Sequence, residues 1–360
     1  MSRDRASDPL RRQLLQAGLI AGLGASLPGR LLQAATPPAL ITKKIPSTGF
    51  ALPVIGIGTN SFNLAQQADL TAVLKRFSEL GAMLIDTAAS YGESEQVIGN
   101  ALAQLGIRDR VFLATKLTGG PMRMGPPPTG AGGGPGGAGP GGPPGGGPGG
   151  AGGPGGPGGP PGGGPPNMGP QVYGKESFDR SLQRLQTDHI DLLQVHNMNG
   201  IDTLMPQLQE WKKAGRIRYI GVTTSNDSDH PQMIEVMRKH PLDFVQVDYS
   251  IANRDAASTV FPVALERKVA VIANVPFGGR GGTIIAAANQ RKLPAWAADF
   301  DATNWAQFLL KYVVSHPAVT ATISGSTRIS HLEENQSAGR GRLPDAAQRK
   351  RMEELWDGNA

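Results

Sequence analysis

Four side chains of different chemistry stand where short apolar runs end. The run Leu84-Ile-Asp86-Thr87-Ala88-Ala89-Ser90-Tyr91-Gly92 supplies a carboxylate and a phenol, Lys116 follows Val111–Thr115, and His196 closes Ile190–His196. A phenol, with a pKa near 10, is a poor proton donor at neutral pH. An ammonium about 4 Å away, at an effective dielectric near 20, favours the phenolate by about 4 kcal/mol, or about three pK units. Such a pair can hand a proton to an oxygen that is gaining negative charge. A carboxylate would hold the ammonium in place and charged, and an imidazole would orient the oxygen and share its charge. Each residue also has a plainer reading: Asp86 with Lys116 as a structural ion pair, Tyr91 as a loop aromatic, His196 as a core histidine.

Something must bring four strand-end residues to one place. Eight runs rich in Val, Ile and Leu read as strands: Val54–Gly58, Met83–Thr87, Val111–Thr115, Ile190–His196, Tyr219–Thr223, Phe244–Tyr249, Ala270–Val275 and Ala321–Gly325. Near-continuous apolar character means burial on both faces, as in a parallel sheet. Between them lie helical patterns at Leu70–Leu80, Ser94–Leu105, Lys175–Leu185, Leu204–Ala214, Gln232–Lys239 and Asp301–Ser315. Eightfold alternation predicts an α/β fold, a closed (β/α)8 TIM barrel whose strand exits carry the chemistry, with a doubly wound sheet as the weaker alternative. The segment Ile41–Leu52, with Ser47-Thr48-Gly49 at its middle, predicts a β-hairpin capping the N-terminal mouth.

Two stretches stand apart from this pattern. Residues 1–35 carry Arg11-Arg12 ahead of Gln13-Leu14-Leu15 and an uncharged small-residue run from Ala17 to Gly29, which resembles a twin-arginine leader. That resemblance implies the twin-arginine export machinery as a partner and a periplasmic location. The segment around Ala34-Ala35-Thr36 lacks a clean A-x-A, so a retained leader would be the one contact with a membrane. Residues 119–170 are Gly/Pro-rich, their GGP units out of register, and predict a disordered insertion after the third strand. What remains of 36–356 suits one large barrel. The chain has no cysteine, which removes disulfides and thiolate chemistry. Its net charge of +6 comes partly from the leader and forms no Lys/Arg stripe with aromatics, so nucleic-acid binding has no support.

The motifs LPVIGIGT, LIDTAASYGESEQVIGNAL, VFLATK, SLQRLQTDHIDLLQVHN, GRIRYIGV, DFVQVDYS and ISGSTRISHLEEN, in this order, resemble the aldo/keto reductase family over about residues 41 to 356. The resemblance implies a catalytic tetrad of Asp86, Tyr91, Lys116 and His196, with Tyr91 as general acid. It implies NADPH as cofactor, with NADH as the alternative. Thr223 and Thr224, where Ser-Asn is common, would meet the carboxamide, as would Gln246. After the seventh strand the family often carries an aromatic that stacks on the nicotinamide; here Ala273-Asn274-Val275-Pro276-Phe277-Gly278 has Asn274 instead. Ser324, Gly325, Ser326, Arg328, Glu334 and Asn335 match the phosphate and adenosine end, where backbone N–H groups at a helix N-terminus attract phosphate. Arg328 could pair with a 2′-phosphate and favour NADPH.

These expectations define an exported NADPH-dependent carbonyl reductase that converts an aldehyde or ketone to an alcohol. The rival is a non-catalytic nicotinamide-nucleotide sensor or interaction module on the same barrel; the intact tetrad disfavours it and the missing aromatic favours it. Asp188 and Asp191 read as a helix cap and a strand anchor. Trp296, Trp305 and Phe308 read as packing. His230, His240, His316 and His331 have no ligand spacing with carboxylates, so no metal site is expected.

Overall fold

The computed structural model describes residues 38–120, 173–279 and 282–358. Residues 1–35, read from sequence as a leader, and the body of the Gly/Pro tract lie outside these residues. Thr42–Lys44 (β1) and Ala51–Pro53 (β2) form an antiparallel hairpin. Then come Ile55–Gly58 (β3), Leu84–Asp86 (β4), Phe112–Leu117 (β5), Ile190–Val195 (β6), Ile217–Thr223 (β7), Phe244–Asp248 (β8), Ala270–Asn274 (β9) and Val319–Gly325 (β10). These eight close into a parallel barrel in the order β10-β3-β4-β5-β6-β7-β8-β9. Around it run α1 (Gln67–Glu79), α2 (Ser94–Leu105), α3 (Gly174–Leu185), α4 (Ile201–Lys213), α5 (His230–Lys239), α6 (Asp255–Ser258), α7 (Val260–Glu266), α8 (Thr283–Ala288), α9 (Trp305–Ser315), α10 (Ile329–Ser337) and α11 (Ala346–Asp357).

Strand alternation sorts the side chains into two cores. Ile85, Leu113, Leu193, Val245 and Val271 point outward and pack beneath the helices. Leu84, Phe112, Ala114, Leu192, Tyr219, Phe244, Ala270, Ile272, Ala321 and Ile323 fill the interior. Advancing two residues along each strand from these inward positions reaches Asp86, Lys116, Gln194, Gln246 and Asn274, so the polar rim continues the apolar interior in the same phase. Gly221, also inward, leaves the space that Gln194 needs: a Cβ there would lie 3.1 Å from the Gln194 side chain and from the Phe244 carbonyl. The hairpin closes the other end as expected. Ile45 and Leu52 are fully buried in the interior cluster, and Thr48 Oγ1 lies 2.7 Å from the Tyr219 hydroxyl.

Three expectations need correction, and two short helices were missed. Lys116 lies within β5, not beyond it, because the strand runs on to Leu117. Asp301 does not start α9: it sits in a left-handed turn at φ 59°, and Asn304 caps the helix by accepting from the Gln307 N–H at 2.9 Å. Asp188 caps no helix, since α3 ends at Leu185 with Gln186 left-handed, and Asp188 instead pairs with His189 at the surface. Asp191 does anchor its strand, accepting from the Leu113 N–H and the Arg218 guanidinium. The helices α6 and α7 were not foreseen, because the segment after β8 is broken by Pro262 and too short to show a helical period.

Candidate active site

β4 and β5 pair in register, Asp86 against Ala114, which sets the Asp86 and Lys116 side chains side by side at the barrel's C-terminal rim. Lys116 Nζ donates to Asp86 Oδ2 at 2.5 Å and to the Thr87 carbonyl at 2.9 Å, and both residues are only 2% exposed. Burial pulls the Lys116 ammonium down, but Asp86 and Tyr91 more than offset it, and its pKa ends above the ordinary lysine value. The ammonium stands 5.0 Å from the centre of the Tyr91 ring. The second Asp86 oxygen accepts from Gln194 Nε2 at 3.2 Å. Sequence reasoning missed Gln194; its signal was the inward phase between Leu192 and His196.

Tyr91 and His196 come from loops seated on that pair. The Ala89 N–H donates to the Lys116 carbonyl at 3.1 Å and the Tyr91 N–H to the Ala88 carbonyl at 3.0 Å, so one tight turn presents the phenol. His196 begins a turn in which Asn197 and Met198 take left-handed φ values of 51° and 55°. Its ring meets Tyr91 edge-on, centroids 5.8 Å apart, and its Nδ1 lies 3.3 Å from Ser90 Oγ. Burial, helped by the Lys116 charge, pulls the His196 pKa down to about 3, so the ring is neutral at neutral pH. The fold therefore brings all four tetrad residues together, with a charged ammonium beside a phenol and a neutral imidazole. This arrangement can donate a proton to an oxygen that gains charge.

The next strands carry the other expected residues around the same rim. Thr223 pairs with Gln246 in register, the Thr224 N–H donates to the Gln246 carbonyl at 2.9 Å, and Asn274 Nδ2 donates to the Thr224 carbonyl at 2.9 Å. Gln246 Nε2 and Asn274 Oδ1 are buried with no hydrogen-bond partner among the described residues. An orphaned buried polar atom costs about 1–3 kcal/mol, so such atoms mark places where a partner belongs. The two threonine hydroxyls are engaged with the protein: Thr223 Oγ1 accepts from the Asn197 N–H, and Thr224 Oγ1 donates to Asp229. Phe277 does not take the stacking place. It packs half-buried into the apolar core behind the loop, where Val275 holds a left-handed φ of 46°.

At β10, adjacent to β9, Ser324 and Ser326 are buried, while Gly325 is exposed at the strand end. Ser326 Oγ donates to the Arg328 carbonyl at 3.2 Å, shaping the entry to α10. Arg328 is the N-cap residue of α10, exposed, with no side-chain bond or ion pair among the described residues. Asn335 is buried on that helix and Glu334 is exposed.

One grouping had no signature in the sequence. The His230 ring is buried with Nδ1 2.6 Å from Asp255 and Nε2 3.2 Å from Asp248, and Asp227 closes the cluster. These residues come from the turn after β7 (Asp227), the first residues of α5 and α6 (His230 and Asp255) and the end of β8 (Asp248), so no local spacing reveals them. Donors of the protein occupy the cluster: Asn253 Nδ2 gives to Asp227 at 2.7 Å and to Asp248 at 2.6 Å. Burial, with Asp227 beside it, raises the Asp248 pKa to about 6.

With this geometry in hand, comparison with known proteins identifies the class. The model of the aldo/keto reductase family matches residues 54–357. The uncharacterized oxidoreductase YqkF of Bacillus subtilis is 25% identical over 327 residues, covering 83% of this chain and 91% of its own. The methylglyoxal reductase YeaE of Escherichia coli is 24% identical over 291 residues, covering 79% and 84%. A solved aldo/keto reductase from Klebsiella pneumoniae, in complex with NADP and acetate, superposes with a TM-score of 0.61 at 22% identity, covering 86% and 93%. The chain belongs to the aldo/keto reductase family, the NAD(P)H-dependent oxidoreductases built on this barrel.

Proposed function

We propose that the protein reduces a small aldehyde or ketone with NADPH, with Tyr91 as the proton donor. The observation that carries this reading is the Asp86–Lys116–Tyr91–His196 constellation at one barrel rim, with the ammonium bonded to Asp86 at 2.5 Å and standing 5.0 Å from the phenol ring. Asp86 holds Lys116 charged, Lys116 makes the phenol a better acid, and neutral His196 orients the carbonyl oxygen by hydrogen bonding. The orphaned Gln246 Nε2 and Asn274 Oδ1 suit a carboxamide, which offers one acceptor and one donor. Thr223, Thr224, Gln246 and Asn274 would hold the nicotinamide end. Ser324, Gly325, Ser326, Arg328, Glu334 and Asn335 would hold the phosphate and adenosine end. A reduced nicotinamide bound there supplies the hydride. The carbonyl class is supported by the name of one relative, a methylglyoxal reductase.

Tyr91→Phe tests the assignment. Turnover with a panel of small aldehydes and dicarbonyls should fall by the ~10² to 10⁴ typical of general acid catalysis, with cofactor affinity nearly intact. Near-normal turnover would remove Tyr91 from the acid's role and favour the non-catalytic sensor.

The same proposal includes export. Arg11-Arg12 and the small-residue run after it support passage by the twin-arginine route, which carries folded proteins and would let the enzyme leave with cofactor bound. Replacing both arginines with lysine keeps the charge and removes the receptor-read pattern, so the variant should stay in the cytoplasmic fraction. Its continued appearance in the periplasm would point to another route.

A further inference from the structure

Ser90 stands between the residues that build the acid's turn, and its side chain makes one hydrogen bond among the described residues, to His196 Nδ1 at 3.3 Å. That contact bears on a question the tetrad leaves open. A neutral imidazole carries a single N–H, on one nitrogen or the other. His196 is neutral, so only one of its two nitrogens can donate. Nδ1 faces Ser90, while Nε2 has no partner among the described residues. A proton on Nδ1 would leave Nε2 presenting a lone pair, which repels a carbonyl oxygen; a proton on Nε2 lets the ring donate to it. The nitrogen that carries the proton is set by the hydrogen bond the other one makes.

We propose that Ser90 is a positioning residue, whose hydroxyl donates to His196 Nδ1 and so keeps the ring in the Nε2–H form that hydrogen-bonds the oxygen being reduced. This rests on the carbonyl-reductase reading above. No backbone carbonyl bonds Nδ1 among the described residues, so no other group fixes the ring's proton. The turn that carries Ser90 also carries Tyr91: the Ala89 N–H is tied to the Lys116 carbonyl and the Tyr91 N–H to the Ala88 carbonyl. Proton donor and ring-setting hydroxyl therefore move as one unit, and the two groups that meet the substrate oxygen stay in register with each other.

The test uses the full-length protein labelled with ¹⁵N at histidine, its His196 ring signals assigned with His196→Gln. Two-bond ¹H–¹⁵N spectra at pH 7 should report the Nε2–H form in the parent and in Ser90→Thr. In Ser90→Ala a substantial Nδ1–H population should appear. Ser90→Cys, which keeps the volume and weakens the donor, should move the same way and serves if the alanine variant does not fold. In parallel, kcat/KM for a small dicarbonyl should fall about 3- to 10-fold in Ser90→Ala, the range for losing one hydrogen bond, with cofactor affinity unchanged and recovery in Ser90→Thr. An unchanged ring form in Ser90→Ala overturns the proposal whatever the rates do, because a packing role would lower turnover without moving the proton. If the parent reduces no carbonyl at all, the reductase reading fails, while the spectra still decide where the proton sits.

Discussion

Arg328 extends into solvent at the start of α10, while most arginines of known placement lean on a carboxylate or an aromatic ring. An unpaired guanidinium at a helix N-terminus suits a dianionic phosphate, which it can meet in bidentate fashion. Arg328→Ala should therefore weaken NADPH by about 1.5–3 kcal/mol and NADH by much less, as read by fluorescence titration. Equal loss for both would make Arg328 a surface charge. At this scale the sequence was most legible where a chemical group follows a strand, and Asp86, Tyr91 and His196 are placed as read. It was least legible where partners come from distant strands or where a side chain's bonds decide its use. Gln194 lay within a quoted motif but its partner Asp86 came from another strand, His230 met its carboxylates only through the fold, and the Thr223 and Thr224 hydroxyls turned out to be engaged with backbone and Asp229.

Among the elements, the contact between α2 and α3 depends on Gly99. A Cβ at that position would lie 2.1 Å from the Arg184 carbonyl, which belongs to backbone and cannot swing aside. Beside it Glu95, buried, receives Arg184 and the Thr115 hydroxyl, tying the two helices to β5. Gly99→Ala should destabilise the protein by about 1–3 kcal/mol despite its gain in helix propensity, because the helices must part. Urea denaturation checks this, and a stabilised variant would mean that α3 slides freely. All eight barrel strands were readable as apolar runs, since parallel strands buried on both faces leave an unbroken apolar trace. Their ends were not. Lys116 is polar yet belongs to β5, because it pairs in register with Gln194 of β6, its carbonyl accepts from the Ala89 N–H beyond β4, and Asp86 supplies its counter-charge. The start of α9 depended on which polar residue had a free side-chain acceptor, and Asn304 had it where Asp301 did not.

Over the whole molecule, two histidines make the fold sensitive to acid. Burial, helped by nearby cations, pulls His196 to about 3 and half-buried His316 to about 4, against 6.5 in an open chain. Between pH 6.5 and about 4 the unfolded chain therefore binds protons that the folded chain refuses, and stability falls as pH falls. Asp248, raised to about 6 from 3.8, acts in the opposite sense over its own window, because its folded form takes up the proton first. Two protons against one leave a net loss on acidification. The urea midpoint should drop between pH 7 and pH 4.5, and His316→Phe should flatten that slope while its absolute stability shifts for other reasons. A midpoint independent of pH over this range would contradict the buried neutral state of both rings.

The barrel's first and last strands are each other's neighbours, and Lys43 beside them donates to the carbonyls of Val314, His316 and Val319 at 2.8, 2.9 and 2.6 Å. Those partners lie 271 to 276 residues further along the chain. As the polypeptide emerges during synthesis, β3 has one flank to pair with β4 and another that stays bare until the final strand arrives. Closing so long a loop carries the largest closure entropy of any strand pairing in the ring, although that cost grows only slowly with length. The apolar Ile55-Gly-Ile-Gly58 edge is thus sticky for most of the chain's manufacture. A twin-arginine passage, which admits only finished folds, would have to wait for that last seam to zip shut.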